Sequence, residues 1–140
     1  MLVREPRRAY GDSADLLTAQ TAASALAVFF RMADRWGLEA GQKQALLGTS
    51  RSVYYRWQAG EVTAPLDPAT AERLSYLFRI YAALQVLLPV RERADAWLQA
   101  PNSAALFGGG TALARMLGGQ VGDLKVVADF LDAQRGGDFA

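Results

Sequence analysis

The stretch ALLGTSRSVYYRW, residues 45–57, decides how the chain folds. It places a small apolar segment before a Gly-Thr turn and a segment rich in arginine and tyrosine after it. Two short helices joined by a turn of about three to four residues that contains glycine form a helix-turn-helix. The side chains expected to pack between the two helices are Leu46, Leu47, Val53 and Trp57.

The second helix of this pair is predicted to have two different faces. Val53 and Trp57 lie four residues apart and therefore share the inward face. On the outward face, arginines suit guanine edges and phosphates, hydroxyls suit phosphates, and the helix N-terminus favours anions. The predicted DNA contacts are Lys43, Thr49, Arg51, Ser52, Tyr55 and Arg56. The alternative is an ordinary surface helix of an α-helical bundle, with its arginines in water.

The composition excludes several classes of protein. The chain has 140 residues, 51% of them hydrophobic, which suits one compact domain or two very small ones. It contains no cysteine and no histidine, so disulfides, zinc fingers and Cys- or His-based catalysis are excluded. The N-terminus lacks the apolar core of a signal peptide, and no run of about 18 apolar residues predicts a membrane span. We expect a cytoplasmic protein.

Charge divides the chain into two unlike parts. Residues 1–60 carry a net charge of +3, and residues 61–140 carry −2. The basic front part suits a polyanion such as DNA, and the acidic rear part suits another protein.

The remaining sequence predicts an all-α fold. Apolar residues recur at helical spacing, caps and glycine stops separate the helices, and sustained β alternation is absent. The clearest start is Asp67-Pro68, a capping carboxylate followed by proline at the first helical position, which begins a long helix reaching about Leu88. A last helix is predicted from about Gly122 to Arg135. The predicted units are a flexible arm (1–18), a helix-turn-helix region with the long helix (19–88) and a small helical domain (89–140).

Apolar spacing also predicts which side chains form the core. In the long helix the expected core residues are Leu74, Leu77, Phe78, Tyr81, Leu84 and Leu88. In the last helix they are Leu124, Val127, Ala128 and Leu131. Asp129 and Asp132 are expected on the solvated edge of that helix rather than in acid–base chemistry. The FGGG stretch at 107–110 is interpreted as a turn before a helix capped by Thr111, since it lacks the Gly-Lys-Ser/Thr ending of a P-loop.

The tail of the chain resembles a known family. Residues 97–140 read WLQAPNSAALFGGGTALARMLGGQVGDLKVVADFLDAQRGGDFA. This order of a Trp-Leu helix, Pro-Asn, a glycine-rich turn, a short helix and a last helix with a glycine-containing tail is similar to the toxin-binding domain of Xre/MbcA/ParS antitoxins. The upstream LLGTSRSVYYRWQAG resembles the helix-turn-helix of the same family.

The resemblance implies a role in binding rather than catalysis, without cofactor or metal. The implied partner is a RES-domain toxin that consumes NAD, whose active site the antitoxin occludes. The implied toxin contacts are Arg115, Gly136, Gly137, Asp138, Phe139 and Ala140. The resemblance also implies a homodimer that binds the operator DNA of its own promoter. One difference is the LFGGG turn, where many relatives carry a charged residue after the glycines.

Two other functions fit the same sequence. One is a stand-alone helix-turn-helix repressor whose tail serves as a dimer interface. The other is a protein-binding module whose helix-turn-helix no longer contacts DNA.

Overall fold

A computed structural model describes residues 18–136, and within this range the chain is helical. The helices, numbered here in chain order, are α1 (Ala19–Arg35), α2 (Ala40–Leu47), α3 (Arg51–Gln58), α4 (Pro68–Leu87), α5 (Arg91–Ala96), α6 (Ala112–Met116) and α7 (Val121–Arg135). Short 3₁₀ helices occur at Trp97–Gln99 and Ala105–Phe107. The predicted all-α class, with a helix-turn-helix region before a small helical domain, is confirmed.

The residues outside this range carry two of the sequence predictions. The flexible arm predicted for residues 1–18 lies, apart from Thr18, outside the described residues. Four of the predicted toxin contacts, residues 137–140, lie outside them as well.

The helix-turn-helix is formed by α2, α3 and the turn between them. Gly48 ends α2 in the left-handed conformation, at φ +67°, which glycine adopts without a steric penalty. Ser50 caps α3, because its hydroxyl accepts a hydrogen bond from the Val53 amide at 3.3 Å. Leu46 and Leu47 are fully buried, as predicted.

The inward face of α3 differs from the prediction. Tyr54 is fully buried, whereas Val53 and Trp57 are only half-buried. The Tyr54 ring meets the Phe30 ring edge-on, with their centroids 5.7 Å apart. Trp57 instead lines a cavity of about 310 Å³ between α3 and the 61–67 segment. Tyr54, rather than Val53 or Trp57, is therefore the most buried side chain of α3, and it packs against α1.

The long helix α4 packs against both parts of the chain. It contacts α1 and α2 on the helix-turn-helix side and α5 and α7 on the other side. Its buried side chains are Thr70, Leu74, Leu77, Ile80, Ala83 and Leu84. Phe78, Tyr81 and Leu88 are half-buried instead of buried, while Ile80 and Ala83, which the predicted stripe left out, are buried.

The C-terminal part is built around α7. Leu124, Val127, Ala128 and Leu131 are buried there, as predicted. The glycine-rich segment forms a turn in which Gly108 and Gly109 both have positive φ, and the Asn102 amide donates to the Gly110 carbonyl oxygen at 2.9 Å. Thr111 then caps α6 through the Ala114 amide, as predicted.

Asp129 is exposed and Asp132 half-buried on the predicted solvated edge of α7, and both carboxylates also bind α4. Arg79 donates to Asp129 at 2.9 Å and, through Nε, to Asp132 at 3.1 Å. Lys125 donates to Asp129 at 2.6 Å from one turn earlier. Hydrogen bonds from Lys125 and then Arg79 lower the pKa of Asp129. This network joins α4 to α7 across their apolar contact.

Tyr54 tests the packing of α3. Tyr54→Ala is expected to lower the free energy of unfolding by about 3–5 kcal/mol, as large aromatic truncations in a core do. Tyr54→Phe is expected to preserve or raise stability, because the buried hydroxyl has no hydrogen-bond partner among residues 18–136. Urea unfolding followed by circular dichroism measures both. A loss above about 1 kcal/mol in Tyr54→Phe contradicts this assignment.

Asp67 tests the start of α4. Its carboxylate accepts from the Thr70 hydroxyl at 2.7 Å and from the Thr70 amide at 3.2 Å. Asp67→Ala is expected to cost about 0.5–2 kcal/mol, while Asp67→Asn keeps most of the cap. Because the Thr70 hydroxyl lowers the pKa of Asp67, its ionic contribution is complete above the ordinary carboxyl pKa and disappears as the pH falls through the lowered value.

The stability difference between wild type and Asp67→Asn should therefore shrink as the pH falls below about 4. Urea titrations at neutral and acidic pH measure it. An equal difference at both pH values would show that the Asp67 charge plays no part.

Candidate functional site

The outward face of α3 brings four of the predicted DNA contacts together. Arg51, Ser52, Tyr55 and Arg56 are all exposed. Tyr55 remains 44% exposed although its ring packs edge-on against Tyr54, with centroids 5.0 Å apart. The Arg51 guanidinium carbon lies 5.8 Å from the Tyr55 ring centroid, which supports the arginine by a cation–π contact. The face is cationic, aromatic and open.

The turn before α3 is held by hydrogen bonds. Gln44 donates from its side-chain amide to the Thr49 carbonyl oxygen at 3.1 Å. Thr49 itself is half-buried, next to the exposed Ser50 cap. The positive end of the α3 dipole therefore lies beside the exposed arginine of its first turn, Arg51, where an anion is favoured.

Lys43 does not belong to this exposed face. Its residue is only 8% exposed, and its ammonium donates to Asp34 on α1 at 2.6 Å. The prediction that Lys43 contacts DNA is therefore not supported by its position, because its side chain is buried and paired with Asp34. Lys43 lies on α2 and Asp34 lies nine residues earlier on α1, so their ion pair joins the two helices.

In the C-terminal part, Arg115 is half-buried, and two nitrogens of its guanidinium donate hydrogen bonds within the domain. It donates from Nε to Asp123 at 3.1 Å and from Nη1 to the Leu106 carbonyl oxygen at 3.3 Å. Gly136 ends α7, and its amide donates to the Asp132 and Ala133 carbonyl oxygens. These are the two predicted toxin contacts that the structure describes, and they lie at opposite ends of α7, Arg115 beside its first turn and Gly136 after its last.

Beside the end of α7 is an apolar groove that the sequence reasoning missed. It encloses about 370 Å³ between the ends of α4 and α7, and its lining includes Leu87, Leu88, Trp97, Phe130 and Gln134. Phe107 joins its aromatic side chains, with ring centroids 5.8 Å from Trp97 and 5.5 Å from Phe130. The residues that line the groove come from separate parts of the sequence and meet only in the folded chain. The local sequence feature that pointed to this region was the Trp-Leu pair at 97–98.

Two kinds of site do not occur among residues 18–136. No group of three or more acidic side chains there could hold a metal ion. None of the helices there is both long enough and apolar enough to cross a membrane.

The fold and the two faces define a helix-turn-helix protein with a small helical domain packed behind it. Comparison with family models gives a match of residues 15–79 to the antitoxin Xre-like helix-turn-helix domain. Residues 83–137 match the antitoxin Xre/MbcA/ParS C-terminal toxin-binding domain. The chain belongs to the Xre/MbcA/ParS family of antitoxins.

A curated relative is similar along nearly the whole chain. The protein named "uncharacterized protein y4oB" of Sinorhizobium fredii (strain NBRC 101917 / NGR234) is 44% identical over 134 residues. The match covers 95% of this chain and 98% of the relative. The similarity therefore spans both of the regions that the family models match.

Proposed function

We propose that this chain is the cytoplasmic antitoxin of a toxin–antitoxin pair. It binds a RES-domain toxin that consumes NAD, covers the active site of that toxin, and represses its own promoter as a homodimer. It acts by binding and carries out no reaction itself. The observation that carries the proposal is the match of the two halves of one chain to an antitoxin helix-turn-helix and to a toxin-binding domain.

The DNA-binding half of the proposal rests on the outward face of α3. Arg51 and Arg56 are exposed on a helix whose N-terminus is also open. In a major groove, such a helix would present Arg51 to base edges or phosphates and Ser52 to phosphates. Tyr55 would support Arg51 from beneath. Thr49 stays in the proposed set at the edge of this face, and Lys43 does not.

The toxin-binding half of the proposal rests on α6, α7 and the groove beside them. The groove offers leucine and aromatic surface, which suits the apolar anchors of a protein partner. Arg115 would add a polar contact that fixes register. Residues 137–140 follow the end of α7, and we propose that Phe139 is an apolar anchor and Asp138 a charged contact in the toxin cleft.

The two alternatives predict different experimental results. A stand-alone repressor binds the upstream promoter without a partner from the adjacent gene. A binding module without DNA contacts copurifies with that partner and shows no salt-dependent DNA binding. Co-expression with the adjacent gene, followed by copurification and a promoter-binding assay, separates all three.

Arg51 and Lys43 provide a matched test of the DNA face. Arg51→Ala is expected to weaken operator binding by about 1–3 kcal/mol if Arg51 contacts a base. If Arg51 instead contacts a phosphate, the slope of log affinity against log salt should fall in magnitude by about one. Fluorescence anisotropy with a promoter duplex over a range of salt concentrations measures both.

The control for this test is Lys43→Met. It removes a cation of the same helix-turn-helix, and it should lower thermal stability because Asp34 loses its partner. Operator affinity of the folded variant should stay at the wild-type value. If Lys43→Met weakens binding and Arg51→Ala does not, the DNA face has been assigned to the wrong side of the motif.

Residues 137–140 provide the test of toxin neutralisation. Their deletion leaves the Gly136 amide and its hydrogen bonds to α7 intact, so the truncated protein should fold and bind the promoter normally. It should lose much of its ability to rescue growth of cells that express the toxin, at matched antitoxin abundance. Phe139→Ala should reproduce most of the loss. Equal rescue by the truncated and full-length proteins would move the essential contacts back to the groove and Arg115.

A further inference from the structure

Arg73 on α4 joins the two halves of the chain through its guanidinium. Its Nη1 donates to the Leu46 carbonyl oxygen at 3.4 Å, at the end of α2 in the helix-turn-helix. Its Nη2 donates to the Gly119 carbonyl oxygen at 3.1 Å, in the turn between α6 and α7. Leu46 and Gly119 lie 27 and 46 residues away from Arg73 along the chain. One side chain thus links the DNA-proximal turn to the toxin-binding domain.

The contact at the helix-turn-helix end is close. The Arg73 guanidinium lies directly over Gly48, where an added Cβ would be 2.6 Å from Nε and 2.9 Å from the guanidinium carbon. Gly48 therefore meets two requirements: it adopts the left-handed conformation that ends α2, and it leaves space for Arg73. The position of Arg73 constrains the turn that sets the direction of α3.

The contact at the other end continues to Arg115. The carbonyl of Gly119 precedes Gln120, whose amide donates to the Asp123 carboxylate at 3.1 Å. The other oxygen of this carboxylate accepts from Arg115 Nε, also at 3.1 Å. An unbroken series of hydrogen bonds and peptide groups therefore runs from Arg115 through the α6–α7 turn and Arg73 to the α2–α3 turn.

Gly118 keeps this series compact. A Cβ at this residue would lie 2.5 Å from the Asp123 carboxylate oxygen. A side chain at position 118 would therefore displace the Asp123 carboxylate from its present place.

We propose that Arg73 is a positioning residue that couples the toxin-binding domain to the DNA-binding turn. The inference rests on the proposed function of the two faces and identifies how one regulates the other. A partner that engages Arg115 changes the Arg115–Asp123 contact, moves the Gly119 carbonyl, and so changes how Arg73 holds Leu46 and Gly48. Operator affinity then depends on whether the toxin is bound. The dependence is reciprocal, since each ligand changes the affinity for the other by the same factor.

The geometry of arginine suits this role. A planar guanidinium donates to two acceptors in different directions from one rigid group, whereas a lysine ammonium is a single point charge. Arg73→Lys keeps the charge and cannot reproduce both contacts over the same glycine. It should therefore fail to restore the coupling that Arg73→Gln removes.

The experiment measures operator affinity with and without the toxin. The probes are a duplex of the upstream promoter and a catalytically inactive form of the RES-domain protein encoded by the adjacent gene. For the wild type, toxin binding should change operator affinity by about fivefold or more. For Arg73→Gln and Arg73→Lys the ratio should fall to about twofold or less, because the series is interrupted. A variant that is merely less stable should bind the operator more weakly both with and without toxin, so the ratio of the two operator affinities should stay as in the wild type.

Arg79→Gln is the matched control. Arg79 lies on the same helix and also joins α4 to α7, but its hydrogen bonds within residues 18–136 go to Asp129 and Asp132 rather than to the α2–α3 turn. It should lower the melting temperature and keep the wild-type ratio. Thermal melts of all variants check that each is folded at the assay temperature. If Arg73→Gln is unfolded there, the milder Arg73→Lys takes its place in the test.

The outcomes separate the inference from the function on which it rests. If the wild-type protein binds both promoter and toxin, and its operator affinity is the same with and without toxin, the coupling is contradicted while the proposed function stands. An unchanged ratio in both Arg73 variants, or an equal loss of the ratio in Arg79→Gln, contradicts the role of Arg73. A wild type that binds neither promoter nor toxin contradicts the proposed function and the coupling with it.

Discussion

The packing of α4 from both sides holds the described part of the chain together. Leu74, Leu77, Ile80 and Leu84 are buried along this helix, and α4 contacts α1 and α2 on the helix-turn-helix side as well as α5 and α7 behind it. The two family matches meet inside the same helix, the first ending at residue 79 and the second beginning at 83. Neither half therefore has a complete core without α4, and polar contacts from Arg73 and Arg79 add to the apolar contact.

Local sequence signals predicted most of the helix boundaries. Asp67-Pro68, Thr111 and the glycine after α2 act within one helical turn, so their effect can be read from neighbouring residues. The core of α7 was equally predictable, since one apolar stripe faces one partner. Prediction failed where the partner is distant in sequence. The half-burial of Val53 and Trp57, which were predicted to pack inward, depends on the shape of the neighbouring helices, which the spacing of residues in α3 does not contain.

The charged residues show the same division between local and long-range information. The exposed face of α3, with Arg51 and Arg56, follows from helix periodicity alone. Lys43 was assigned to that face from its charge, and only the fold shows that Asp34 holds it. The aromatic groove beside α7 and the link through Arg73 join segments far apart along the chain. Such features become visible only after the chain has folded.

Because α4 completes the core on both of its sides, residues 18–136 should unfold as one cooperative unit rather than as two domains joined by a helix. Native-state hydrogen exchange of the free protein, followed by mass spectrometry, tests it most directly. Peptides from α1 and from α7 should reach the same maximal protection and lose it together as denaturant is added. Exchange of α7 at low denaturant, while α1 keeps its full protection, would contradict the account.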